Sequence, residues 1–312
     1  MVTNHLAVRS PESPAFRRSA CRTGAPLAFA LCLLTVRSLA GAEEPKKIPP
    51  PAEVTITTTD DVKLLATYYP SRAGKDAVPV ILLHAAKGSR ADFEELALKL
   101  QRADHAVIAA DFRGHGANRS EGLRTEDYPA MVFEDMEAIK RFLMIRHNAG
   151  ELNIDKLCVV GVEMGAVVAV NWAAHDWSWP MLATGKQGQD VKALVLISPE
   201  WTYRGLRLNE ALQNTNVRSD LSVMIIAGEG NAKLLKEAKR LYSTLERYHP
   251  LAAGEEGPDK QTLLLRTPAT SLQSTRLLHE KTMHVDQMIL KFIELRLAKQ
   301  PLAWVERRNP RD

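Results

Sequence analysis

Val159-Val160-Gly161-Val162-Glu163-Met164-Gly165-Ala166 sets the strongest limit on how this chain folds. Leu157-Cys158-Val159-Val160 reads as an apolar strand, and Ala166-Val167-Val168-Ala169-Val170 begins a helix, so the turn between them is very short. Glycines at 161 and 165 leave room in such an elbow, where a larger side chain would strike the adjoining strand or helix. The residue between them is held up at the mouth of the sheet. Elbows of this kind present a nucleophile, and here the position holds Glu163.

Around the elbow the chain has a regular rhythm. Val54-Thr55-Ile56-Thr57-Thr58 and Val62 to Tyr69 read as two strands joined by a turn at Asp60-Asp61. Short apolar runs follow at Val78–Leu83, Ala106–Ala110, Leu157–Val160, Ala193–Ile197, Val223–Ala227 and Thr262–Leu265. Their near-continuous hydrophobicity means burial on both faces, the mark of a parallel sheet between helical layers. Phe93 to Leu100, Met136 to Ile145 and Val285 to Leu297 carry helical periodicity between them. The expected fold class is therefore α/β: a mostly parallel doubly wound sheet with an N-terminal antiparallel hairpin and helices on both faces. No long insertion follows Ile197, so any lid is small.

The flanks divide as a signal segment at 1–42, a proline-rich linker at 43–53, the domain at 54–300 and a polar tail at 301–312. Residues 1–42 carry five arginines and one acid, an apolar run from Ala25 to Val36, and Ala40-Gly41-Ala42 at cleavage-like positions. The run is too short to span a bilayer as a helix. Cleavable export to the periplasm or medium is expected, with no transmembrane span in the mature chain; a retained anchor and a misassigned start are the alternatives. Without this leader, the 41 basic and 37 acidic side chains become 36 and 36, so the formal charge of +4 disappears. A neutral protein has no electrostatic footprint for nucleic acid or an anionic membrane. Beyond the leader only Cys158 is left of three cysteines, so no internal disulfide can form, and its place in an apolar strand suits an inert core thiol.

Two further motifs precede the elbow. His84-Ala85-Ala86-Lys87-Gly88-Ser89 follows one buried strand, and Asp111-Phe112-Arg113-Gly114-His115-Gly116 follows the next. Together with the elbow, and in this order, they make residues 54–298 resemble the α/β-hydrolase superfamily of serine esterases, lipases and peptidases. The resemblance implies an oxyanion loop at Ala85, Ala86 and Lys87, completed by the amide of Met164 after the elbow. It also implies a nucleophile, an acid and a histidine in that chain order. At those three posts this sequence has Glu163, Asn231 (in Gly228-Glu229-Gly230-Asn231) and Gln273.

Acyl transfer on this fold needs a serine or thiol to attack, a histidine to take its proton and an acid to orient the histidine. All three posts are substituted. Glutamate carries one more methylene than the aspartate nucleophiles of related hydrolases, which places its oxygens beyond the near-attack position. His279 and His284 fall six and eleven residues after Gln273, and Glu200 or Glu229 would have to replace the acid. Glu163 is therefore expected to be structural, its carboxylate folded back on oxyanion-loop amides; a general base and a covalent nucleophile are the other readings. The protein so described is an exported hydrolase-like pseudoenzyme with a pocket for a small acyl, sugar or peptide ligand or a protein partner. The alternative is an active esterase, lipase or peptidase-like hydrolase with a rearranged site using Glu163.

His84 is expected to brace the oxyanion loop, and Arg113 and His115 to tie down the turn that holds them. Trp172, Trp177 and Trp179 are expected to pack on the sheet, while Lys87 suits either ligand contact or solvent. No Cys or His cluster has metal spacing, and no glycine-rich loop has phosphate-binding spacing, so neither a metal nor a nucleotide cofactor is implied.

Overall fold

An apolar run with no polar face has to be covered from both sides, and this requirement organises the molecule. The structure, a computed structural model, describes residues 47–119, 122–183, 185–251 and 260–307. The expected signal segment, 1–42, lies outside them. Eight strands form one sheet: β1 (Ala52–Thr57), β2 (Lys63–Tyr69), β3 (Pro79–Leu83), β4 (Ala106–Ala110), β5 (Leu157–Val162), β6 (Val191–Ile197), β7 (Ser222–Ile226) and β8 (Leu263–Arg266). Their order is β1-β2-β4-β3-β5-β6-β7-β8. β2 runs antiparallel to β1 and β4, and every other pair is parallel. This is the α/β-hydrolase arrangement, with the expected hairpin at one edge.

Alternation along each strand feeds two cores. Ile81, Leu83, Ile108 and Val159 face one layer; Val80, Leu82, Val107, Cys158 and Val160 face the other. The first layer is closed by α2 (Met136–Asn148), by α3 (Met164–Asp176) and by Ala238, Leu241 and Leu245 of α4 (Ala232–Glu246). The second is closed by α1 (Glu94–Arg102) and α5 (Val285–Ile293), through Leu96, Leu100, Ile289 and Phe292. Each such large side chain contributes roughly 1.5–3 kcal/mol by leaving water. Cys158 is buried without a partner, and burial pushes its thiol far above its ordinary range, so it is inert packing. Trp172 is fully buried, its indole N–H donating to Glu137 at 2.8 Å, and the Trp177 N–H donates to the Val191 carbonyl at 2.9 Å.

Two boundaries differ from the sequence reading. β1 begins at Ala52, so Ala52 and Glu53 pair with Tyr68 and Thr67 instead of belonging to the linker. Just before it, the Pro49 carbonyl accepts from Gln101 Nε2 at 2.9 Å. The polar tail is also docked as far as Arg307. Its carbonyls at Leu302, Val305 and Arg307 are bonded by Asn153, His147 and Asn148, and Trp304 donates to the His147 carbonyl. The Arg307 guanidinium, itself buried, reaches Asp190 and Asp155. Asp190 is wholly buried and also meets Lys140 at 3.1 Å and Lys186 at 2.9 Å. Lys140 in turn pairs with Asp176 at the last turn of α3.

A buried acid stripped of one cation keeps its desolvation cost and loses part of the offset. Arg307→Ala, which leaves Asp190 with Lys140 and Lys186, is therefore expected to lower unfolding free energy by about 1.5–3 kcal/mol, read from the urea midpoint at unchanged m-value. A change under about 0.5 kcal/mol would show that the tail is not docked through this residue.

Candidate active site

The elbow is fully formed. Glu163 has φ 48° and ψ −110°, a conformation costing about 1–3 kcal/mol for a residue with a side chain. It is over-determined by its neighbours. A Cβ on Gly161 would lie 2.4 Å from the Gly165 carbonyl oxygen, and one on Gly165 would lie 2.3 Å from the Leu83 carbonyl oxygen. The Glu163 N–H donates to Ile197 at 2.9 Å, and its carbonyl accepts from Ala166 and Val167. The first turn of α3 thus rests against the end of β3, where the oxyanion loop begins. The half-exposed Glu163 carboxylate, in contrast, makes no hydrogen bond or ion pair among the described residues. The expected fold-back onto the oxyanion-loop amides is not what the structure has. With water at hand, nothing forces this charge into the loop.

That loop is held by its own bonds. Gly88 donates to the Ala85 carbonyl at 2.9 Å, and Ser89 and Asp92 form a capping box whose Ser89 N–H to Asp92 bond is 3.0 Å. A Cβ on Gly88 would meet Asp92 Oδ2 at 2.4 Å. Ala85 is buried, Ala86 half-buried and Lys87 exposed. Met164 buries its whole side chain, so it offers the site only its backbone N–H. Neither that N–H nor the Ala86 N–H has an acceptor among the described residues, as an unfilled oxyanion hole would leave them.

His84 and the Asp111 turn brace this loop from below. His84 Nδ1 bonds the Ala85 carbonyl at 2.7 Å, and Nε2 accepts from the Phe112 N–H at 3.1 Å. The two bonds together require the neutral ring with its proton on Nδ1. Asp111, only 1% exposed, accepts from the Arg90 backbone at 2.7 Å, the Arg90 guanidinium at 2.8 Å and the Ala117 N–H at 3.0 Å. A Cβ on Gly116 would lie 2.2 Å from that carboxyl carbon, so the glycine at this place in the motif makes room for the carboxylate. Arg113 clamps Asp135 and Asp60, and His115 bonds the Arg113 carbonyl at 2.9 Å. All three residues serve the loop architecture.

The remaining posts gather at the ends of β5, β6 and β7. Gln273 is buried; its Oε1 accepts from Ser198 Oγ at 2.8 Å and the Gly228 N–H at 3.2 Å, and its Nε2 donates to the Gly228 carbonyl at 2.7 Å. Ser198 follows Ile197, the residue that bonds Glu163, so Gln273 is one strand end away from the elbow. Asn231 caps α4 by accepting from the Leu234 N–H at 3.1 Å. His279 is exposed and meets the Asp92 carbonyl, His284 is exposed at the start of α5, and Glu200 faces Lys233 at 4.0 Å. No histidine bonds Glu163 among the described residues. Nor does any group of three or more His, Cys, Asp or Glu there suit a metal ion.

A cleft of about 1120 Å³ lies beside the oxyanion loop, and Glu163 is not among the residues that line it. Ala86, Lys87 and His115 line it, joined by Glu53, Thr67, Tyr69, Arg90, Tyr128 and Tyr203, which the sequence reading did not single out. Tyr203 belongs to a two-stranded ribbon, Thr202–Tyr203 with Leu206–Arg207; its ring meets Tyr128 edge-on at 5.6 Å. Thr67 and Tyr69 lie on the face of β2 opposite Ala66 and Tyr68, and that alternation is the one signal that could have found them.

The family model described as serine aminopeptidase, S33, matches residues 74–229, half of the chain, and the chain belongs to that family. An sn-1-specific diacylglycerol lipase of Danio rerio is 29% identical over 99 residues, which are 31% of this chain and 27% of that protein. An uncharacterized protein of Mycobacterium tuberculosis is 28% identical over 130 residues, 41% of this chain and 43% of the relative. The chain thus spans less than half the length of these curated relatives. Among solved structures, a Pyrococcus furiosus esterase superposes with a TM-score of 0.56 at 17% identity, over 80% of this chain and 93% of that one. An esterase from Exiguobacterium antarcticum gives 0.53 at 13% identity, over 78% and 100%. At such identities these likenesses attest the fold.

Burial also fixes a pH dependence. It pushes His84 below its ordinary value of 6.5, and His105 down to about 4. The unfolded chain therefore takes up protons near pH 6.5 that the folded chain refuses. Their contribution to stability is complete above pH 6.5 and is lost progressively as pH falls from there toward about 4. Melting temperature should fall over that interval, and His84→Gln should flatten part of the fall, leaving the shares of His105 and of His249, which burial also lowers. A melting temperature constant across the interval would show that these rings are not buried as neutral groups.

Proposed function

We propose that this chain, a member of the serine aminopeptidase S33 family by the match over half its length, is an exported pseudoenzyme. In this reading it has given up acyl transfer and binds a small polar molecule in the cleft beside its oxyanion loop. The observation that carries the reading is at the apex of the elbow. There a strained, fully formed scaffold raises a carboxylate that no base, acid or cation among the described residues hydrogen-bonds or pairs with. An amide has no basic lone pair to take a proton, and Gln273 spends its oxygen and nitrogen on Ser198 and Gly228. Both nitrogens of His84 are engaged with the backbone, so it cannot serve as a substitute. A covalent ester on Glu163 would need a base-activated water, and no histidine among the described residues is placed to activate one.

The chemistry of the cleft supports a particular kind of ligand. Its walls mix Glu53, Asp92, Lys87 and Arg90 with the rings of Tyr69, Tyr128 and Tyr203. Burial raises the Tyr69 and Tyr203 hydroxyls above their ordinary value, so both stay neutral donors. Hydrogen-bonding groups of both signs beside aromatic faces suit a sugar or a short peptide better than an acyl chain. Export rests on the leader, with its arginines, short apolar run and small residues before Glu43.

Purified protein should resist fluorophosphonate labelling and leave p-nitrophenyl esters intact. Stoichiometric labelling, or turnover that disappears in Glu163→Ala, would defeat the non-catalytic reading. Combining Glu163→Ser, Asn231→Asp and Gln273→His should restore weak esterase activity, whereas each change alone should do almost nothing, because triad members act as a unit.

A sugar or peptide bound at about 100 times its Kd should stabilise the fold by about 2.7 kcal/mol, seen as a raised melting temperature. Tyr203→Ala should abolish the shift. No shift across sugar and peptide libraries would remove the small-molecule reading, and a mature terminus other than Glu43 on exported protein would correct the leader.

A further inference from the structure

Away from the oxyanion loop, the two-stranded ribbon meets α4 in a groove of unusual charge. Two adjoining depressions, about 520 and 290 Å³, share Trp201, Asn209 and Arg240. Arg204 and Arg207 of the ribbon line the larger one, and Arg218, Arg247 and Tyr248 line the smaller. Five arginines drawn from three segments therefore face one groove. Only Arg207 has a carboxylate partner among the described residues, Glu210 at 3.5 Å. Glu237 and Glu246, on the same helix as Arg240, pair with none of them.

These guanidinium groups are held in place. Arg240 sits over the Trp201 ring at 3.9 Å from its centroid, and Arg218 and Arg247 lie 4.5 and 4.7 Å from the Tyr248 ring. An arginine stacked on a ring uses its face and keeps its N–H edge for planar acceptors. Arg218 shows this directly: its Nε is buried and has no hydrogen-bond partner. Guanidinium cannot shed its proton, so the donor stays charged and unsatisfied unless an acceptor arrives. Crowding such cations without counter-charge costs self-repulsion that an anion would relieve.

We propose that this groove is a binding site for a phosphorylated ligand, separate from the cleft beside the oxyanion loop and independent of what binds there. A phosphoryl group brings three strong acceptor oxygens and nearly two negative charges, enough to engage Arg218, Arg240 and Arg247 together. A carboxylate, with one edge, satisfies one arginine fork. The larger depression then holds the organic body that carries the phosphate. Two sources share this chemistry, a soluble phosphate ester and a lipid headgroup.

Calorimetric titration of the full chain with inorganic pyrophosphate, and separately with vesicles of phosphatidylglycerol in phosphatidylcholine, tests it. Pyrophosphate is expected to bind at one site, weakening as salt rises, and each of Arg218→Gln and Arg240→Gln should cost about tenfold in affinity. Arg240→Lys keeps the charge and loses the stacked fork, so it should recover only part of that loss. Without phosphate, the glutamine variants should melt at the parent temperature or higher, since they relieve repulsion; a lost site with an intact fold is thus readable. Binding of pyrophosphate assigns a soluble ester, and binding of vesicles alone assigns a headgroup. No binding of either probe, or binding unchanged in the double variant, overturns the proposal.

Discussion

A carboxylate taken wholly out of water must be offset by hydrogen bonds, and at Asp111 the offset is what assembles the mouth of the sheet. One oxygen holds the backbone of Arg90 and the other its guanidinium and the Ala117 N–H, so the oxyanion loop and the turn after β4 become one piece. Arg90 extends the joint across to Thr67 and Glu53 on the hairpin strands. His84 closes it from beneath by bonding both Ala85 and Phe112. Remove the carboxylate, and the loop has no fixed relation to the sheet edge that walls the cleft. The geometry at the oxyanion loop is therefore a property of a buried acid rather than of the residue at the elbow.

The elbow itself separates scaffold from chemistry. Its close approaches are backbone to backbone: Gly165 against the Leu83 carbonyl, and Gly161 against Gly165. They fix φ and ψ at 163 whichever side chain is attached. Around it the posts for the other two triad members have been given to stabilising roles, Asn231 as the cap of α4 and Gln273 as the tie between Ser198 and Gly228. Both residues make local sense: the buried Gln273 amide accepts and donates at once where a strand end leaves one N–H and one carbonyl, and Asn231 accepts from a free N–H at the helix start. Among the described residues neither post is hydrogen-bonded to the Glu163 side chain.

The sheet and both helical layers were legible in the sequence because burial on two faces leaves runs such as Val80–Leu83 and Val159–Val162 with no polar residue. The elbow was legible for a different reason. Gly161 is dictated by contact with Gly165 and Ala166, and although Gly165 is dictated by the distant end of β3, the two stand at a fixed short spacing between an apolar strand and a helix. What escaped depends on partners far apart in sequence. The docking of 301–307 is carried by backbone carbonyls taken up by His147, Asn148 and Asn153, which no periodicity encodes. The cleft joins a strand edge at Thr67 and Tyr69 with Tyr203 on a ribbon of two-residue strands, too short to register as a pattern. The orientation of the Glu163 carboxylate also escaped, because sequence shows a charge near free amides and not the water that competes for it.

The Glu163 side chain makes no hydrogen bond or ion pair among the described residues, while its backbone and the glycines around it lock the turn beneath. The display at this position is thus mechanically separate from the turn that carries it. One unbranched side chain can replace another there without breaking any hydrogen bond of the elbow, whereas Asn231 and Gln273 cannot be exchanged without giving up a helix cap or a tie between strand ends.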